Sequence, residues 1–107
     1  MTENNNMEAI MGLIINGGNA KSFAFEAIRA AKSGDFIQAN AKLAEADQAL
    51  HAAHNSQTAM LTSEAQGETQ TITLLTVHSQ DHLMNAITFR DLAGEMVELY
   101  QRLKDQK

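Results

Sequence analysis

From Phe36 to Met60 the chain reads FIQANAKLAEADQALHAAHNSQTAM. Phe36, Ala39, Leu43, Ala46, Leu50, Ala53, Gln57 and Met60 follow alternating steps of three and four. That spacing makes one continuous seam on a helix and implies bundle packing at shallow crossing angles. The helix is expected to run from Phe36 to about Ala65. Gln57 is the one clearly polar member of its seam. A lone polar residue there fixes register or meets a hydrogen-bond partner across the bundle. The other reading gives Gln57 and neighbouring His54 a role beside a functional histidine on the next helix. His51 reads as exposed.

Just before this helix stands Ser33-Gly34-Asp35. Gly34 suits the left-handed residue that closes a helix. Asp35 suits an N-cap, with Gln38 completing a capping-box pattern. A tight antiparallel hairpin is expected there, with a first helix from about Glu8 to Lys32. That helix carries Ile10, Leu13, Ile14, Ala20, Ala24, Ala27, Ile28 and Ala31 mostly at helical steps. Gly17-Gly18 interrupts the pattern at a cost of about 2 kcal/mol of helix propensity. It reads first as a kink or a close helix crossing, and second as a backbone approach to a ligand or neighbouring subunit. Residues 1–6 read as a flexible tail.

A second loop is expected from Gln66 to Thr71, around Gly67. Ile72-Thr73-Leu74-Leu75-Thr76-Val77 has strand propensity but no other strand to pair with, so it reads as the start of a third helix capped by Thr71. That helix is expected over about 72–104. Phe89, Leu92, Met96, Leu99 and Leu103 form one stripe, and Ala86, Ala93, Val97 and Tyr100 an adjacent one. Two stripes exceed what one hairpin buries, so the chain is expected to oligomerise through this helix. The fold class is all-α: a single domain over 1–107, an antiparallel three-helix bundle.

Composition agrees. The chain has no proline, and no cysteine for a disulfide or thiolate metal site. The lack of cysteine fits a reducing, cytoplasmic setting. Thirteen acids against eight bases give a net charge of −5, and the bases are scattered, which argues against nucleic-acid binding. No apolar run approaches the roughly 20 residues that cross a bilayer.

The chemistry concentrates in Val77-His78-Ser79-Gln80-Asp81-His82-Leu83-Met84. On a helix His78 neighbours both Asp81 and His82. Three readings follow from the residues. A neutral imidazole with its tautomer fixed by a hydrogen bond can accept and pass on a phosphoryl group. His78, Asp81 and His82 can ligate a metal from one helix, although this is not the His-Glu-x-x-His zinc pattern. Or the residues are simply a solvated polar edge. Spacing alone leaves all three open.

Nearly the whole chain resembles the lactose/cellobiose-type enzyme IIA of the bacterial phosphoenolpyruvate-dependent sugar phosphotransferase system. The resemblance rests on His-x-Gln-Asp-His-Leu-Met at 78–84, Ala53-His54 followed by Gln57-Thr58, Gly34-Asp35-Phe36 at the hairpin, and Gly67-Glu68 in the second loop. It implies three-helix subunits in a parallel homotrimer. It implies that His78 takes phosphate from the phosphocarrier HPr and passes it to a cysteine of enzyme IIB, for sugar bound by the membrane enzyme IIC. By the same resemblance Asp81 faces the trimer axis, where Mg²⁺ or another divalent cation relieves carboxylate repulsion. Gln80 and His82 are implied as supporting residues, and His54 and Gln57 match family positions. The family serves lactose, cellobiose and chitobiose, and Val77-His78 leans toward the cellobiose/chitobiose branch. The contrasting expectation is a non-catalytic helical metal-binding or adaptor bundle.

Overall fold

The structure, a computed structural model, describes residues 2–106, with side chains described from residue 7. Three helices account for most of them: α1 Thr2–Lys32, α2 Phe36–Ala65 and α3 Leu74–Asp105. They pack as an up-down-up bundle about 58 × 20 × 18 Å in extent, and α1 contacts both other helices more extensively than they contact each other. Helix α1 starts earlier than its expected start near Glu8, because no proline or glycine precedes Gly12 to stop it. The first residue of the expected tail, Met1, lies outside the described residues.

Both loops are built by glycine. Gly34 has φ +90° and Gly67 φ +93°, the left-handed region that suits glycine. At the first loop the Asp35 N–H donates to the Ala30 carbonyl and the Gly34 N–H to the Ala31 carbonyl. At the second the Glu68 N–H donates to Ser63 and the Gly67 N–H to Glu64. Each pair is a Schellman closure, which satisfies carbonyls that the helix end leaves open. Asp35 caps α2 by accepting from the Gln38 N–H at 3.0 Å. The cap of α3 is Thr73, not Thr71: its hydroxyl accepts from the Thr76 N–H at 3.2 Å. The extended backbone of Thr73 holds the preceding residues out of the helix, which starts at Leu74.

The core divides into two clusters along the rod. One gathers Ala24, Ala27, Ala31, Ala39, Leu43, Ala46, Ala93 and Val97 at the hairpin end. The other gathers Ile10, Leu13, Ala53, Met60 and Leu83 at the opposite end. Most of the buried seam is alanine, so the backbones lie close and the core is thin. Polar ties reinforce the crossings. Arg90 donates two hydrogen bonds to Asp47, joining α3 to α2. Lys42 reaches Glu26 of α1 at 3.0 Å.

The two stripes of α3 separate cleanly. Ala86, Ala93 and Val97 are buried, with Ser79 and Leu83 continuing the inward line. Leu92, Met96, Leu99 and Leu103 face outward and are 40–58% exposed. Phe89 is intermediate, stacked on Phe25 of α1 with ring centroids 6.4 Å apart. Among the described residues no helix is long and apolar enough to cross a membrane.

Candidate functional site

The site begins one turn into α3. The Thr73 cap fixes the start of the helix, and register then puts Thr76, Ser79 and Leu83 inward. His78 is left exposed, one turn before His82. Its ring stacks on that of His82, with centroids 5.7 Å apart and planes 28° from parallel. Among the described residues its ring nitrogens make no hydrogen bond. The hydrogen bond expected to fix the tautomer of this imidazole is thus not made among the described residues, and the second imidazole constrains only the ring plane.

His82 is itself held from below. It is half-buried, and its ring lies against Gly17 and Gly18 of α1. A methyl group at Gly17 would stand 3.0 Å from Cδ2 of His82, and one at Gly18 would stand 3.4 Å from Nε2. Helix α1 continues through both glycines without the positive φ found at the loops. The diglycine therefore makes a close crossing, as its spacing suggests, and the chain on either side of it is one helix.

Asp81 does not join the two histidines. It is exposed, and Oδ2 accepts from the Asn85 amide at 3.2 Å. The expectation that His78 faces both Asp81 and His82 holds for His82 only, because Asp81 lies further round the helix on the outward face. It falls between Val77 and Met84, each 53% exposed, on the same side as Leu92 and Leu99. Among the described residues no three acidic, histidine or cysteine side chains converge to hold a metal. The reading of His78, Asp81 and His82 as three ligands from one helix is corrected accordingly. A hard cation takes six or more oxygen ligands. One chain offers a single carboxylate here, so its donor type fits such an ion only as a fraction of a site that other copies complete.

Gln80 points to the opposite side. Its Oε1 accepts from Nε2 of Gln57 at 2.8 Å, and its Nε2 lies 3.8 Å from the Met60 sulfur. The polar member of the α2 seam thus meets a partner across the bundle. His54 and His51 are exposed on α2, and His54 makes no described contact with the histidine pair. A groove of about 470 Å³ opens beside the site, lined by Met60, Leu61, Ile72, Val77, Asp81 and Met84 among others. Leu74, Val77 and Met84, expected as an apolar rim, are all exposed, Leu74 at 87%. Ser79 has no expected role, yet it is fully buried and donates to the Thr76 carbonyl at 2.7 Å. Its helical register with Leu83 and Ala86 is the signal that places it inward.

The family described as "PTS system, Lactose/Cellobiose specific IIA subunit" matches residues 8–101. The chain belongs to this family. It is 52% identical to the cellobiose-specific EIIA component of Lactococcus lactis, over 96% of this chain and 89% of that one. It is 50% identical to the lichenan-specific phosphotransferase enzyme IIA component of Bacillus subtilis, over 97% and 96%. The fold is similar to that of the crystal structure of the cellobiose-specific enzyme IIA of Bacillus anthracis, with TM-score 0.93, 43% identity and coverage of 95% and 94%. It is also similar to the chitobiose IIA of Escherichia coli, whose structure is of a complex with HPr: TM-score 0.81, 40% identity, coverage 92% and 96%. Enzyme IIA components are phosphotransferase components that carry phosphate on a histidine. The protein is thus a IIA phosphocarrier component of the lactose/cellobiose family.

Proposed function

We propose that His78 is the phosphorylated residue, taking phosphate from phospho-HPr and passing it to a cysteine of enzyme IIB in the cytoplasm. The observation that carries this is the exposed His78 ring, free of hydrogen bonds among the described residues and stacked on His82. Of the four histidines it is the one presented on an apolar rim with its orientation fixed by a second ring. The uncommitted nitrogen attacks phosphorus in line. A nitrogen–phosphorus bond to His78 forms as the one in the donor breaks, and the donor imidazole leaves. In the second half the bond to His78 breaks as a cysteine thiolate of enzyme IIB bonds to phosphorus. The chain supplies position: stacking restricts the ring before the donor arrives, so less freedom is lost in the reactive encounter. The apolar rim of Leu74, Val77 and Met84 offers a shallow surface for a docking carrier.

The outward seam of α3 supports a parallel homotrimer. Val77, Met84, Leu92, Met96, Leu99 and Leu103 follow near-heptad steps and remain 40–58% exposed in the single chain. Asp81 is the acid on that seam. Three copies would bring three carboxylates to one axis, where Mg²⁺ or a similar hard cation would be held by Asp81 of each subunit and would cancel their repulsion. The membrane enzyme IIC is then reached only through enzyme IIB, and the sugar is a β-linked disaccharide of the cellobiose, chitobiose or lactose kind. The test is intact-mass spectrometry after incubation with phosphoenolpyruvate, enzyme I and HPr. One acid-labile phosphate on the wild type and none on His78→Ala is the expected result. No phosphate on the wild type, with donors active toward a control acceptor, refutes the relay and leaves the adaptor reading.

A further inference from the structure

Two adjacent glycines inside a helix lower its stability and do nothing here for the backbone, since neither adopts a left-handed φ. What they do instead is leave room. A methyl group on Gly17 would meet Cδ2 of His82 at 3.0 Å, closer than side chains normally pack, and would meet the His82 carbonyl oxygen at 3.7 Å. The second glycine leaves 3.4 Å to Nε2 of the same ring. The His82 imidazole therefore sits in a notch in α1, with its height above that helix set by the missing side chains. On its other side it meets His78.

We infer that Gly17 is a positioning residue for the phosphoryl acceptor, acting through His82. This rests on the assignment of His78 as that acceptor. The order of contact is notch, then His82, then His78. Filling the notch displaces the His82 ring outward, and the ring stacked on it at 5.7 Å must follow or unstack. Either movement takes the His78 nitrogen off the line of attack. Displacements of about 1 Å in a reacting group cost up to a hundredfold in rate. Gly18 is the weaker wall of the notch. Gly12, on the same helix, would meet Ser56 and not His82.

The experiment compares wild type, Gly17→Ala, Gly12→Ala, His82→Ala and the Gly17→Ala/His82→Ala double variant. The rate of phosphate acceptance from phospho-HPr is measured for each, with circular dichroism to confirm the helices and imidazole NMR to report His78. Gly17→Ala is expected to slow acceptance by roughly tenfold to a hundredfold and to move the His78 ring signals. Gly12→Ala, an equal gain in helix propensity elsewhere on α1, is expected to do neither. In the double variant, where the ring that clashes is gone, Gly17→Ala is expected to cause no loss beyond that of His82→Ala. An equal loss in both backgrounds, or an unchanged rate and unchanged His78 signals in Gly17→Ala, overturns the inference. If Gly17→Ala unfolds the chain and the double variant does not, the notch is confirmed by the rescue. If both unfold, it is refuted. A wild type that accepts no phosphate while Gly17→Ala still moves the His78 signals overturns the relay and keeps the mechanical coupling.

Discussion

Replacing Gln57 by leucine tests whether the polar break in the α2 seam exists for its partner. The Gln57–Gln80 hydrogen bond is 2.8 Å long and partly buried. A bond of this kind contributes about 1 kcal/mol net, and a fully buried orphaned acceptor costs about 1–3 kcal/mol. Both glutamines keep some exposure, so water reaches Oε1 of Gln80 and holds the loss near the lower end. Leucine between Ala53 and Met60 also gains apolar burial, which offsets part of it. The expected cost of Gln57→Leu is therefore about 1 kcal/mol, or about 4–8 °C in melting temperature for a domain of this size. Gln80→Leu should cost a similar amount. The double variant removes both polar groups and should return to within about 0.5 kcal/mol of wild type, giving a coupling near the worth of the bond. Urea denaturation at one fixed protomer concentration measures all four, because the proposed assembly would make stability concentration-dependent. If the two single losses simply add in the double variant, the bond is not what the seam glutamine provides.

Other outcomes follow from the same geometry. Leu83→Ala empties a fully buried position in the core cluster beneath the site, and should cost about 3 kcal/mol by urea denaturation. A loss under about 1 kcal/mol would mean that the site end of the bundle collapses around the gap. Leu92→Glu with Leu99→Glu should leave the helices intact by circular dichroism yet give a monomer in sedimentation, since both side chains are exposed within the chain. A persistent trimer would remove α3 from the contact. Asp81→Leu should stay folded with a stability change no larger than about 0.5 kcal/mol in the isolated subunit. Magnesium should raise the melting temperature of the wild-type assembly and not that of the variant, and an equal rise in both would place the ion elsewhere. Hydrogen bonds to Glu26 and then Glu45 raise the Lys42 ammonium above the ordinary lysine range. Its stabilising effect is then complete below the unfolded value of about 10.4 and is lost as pH rises through the higher folded value. The stability gap between wild type and Lys42→Met should shrink over that alkaline window, and a gap that widens would contradict the ion pairs.

Local chemistry made much of this molecule legible in advance. The three-four seam from Phe36 to Met60, the Gly34-Asp35 stop and start, and the absence of proline dictate helices joined by a tight hairpin. Each acts within a turn or two of chain, so the residues themselves contain the whole interaction. The histidine motif at 78–84 was equally visible as a candidate site. Spacing left phosphoryl transfer, metal binding and a solvated edge all possible, because a neighbour at three or four residues is only an opportunity for contact.

Only packing decided which opportunities were taken. Two apolar stripes on α3 are equivalent by period. The alanine-lined faces of α1 and α2 accept the stripe with Ala86, Ala93 and Val97, and the bulkier Leu92, Met96, Leu99 and Leu103 remain outside. Asp81 turned to Asn85 and the outward seam, and His78 kept His82 as its neighbour. The glycines at 17 and 18 read in sequence as a weakness in a helix. Their use appears when a histidine some 65 residues further along the chain is laid against them. A contact of that separation depends on the rotation and spacing of two whole helices, which the turns and seams constrain jointly and no short stretch determines alone.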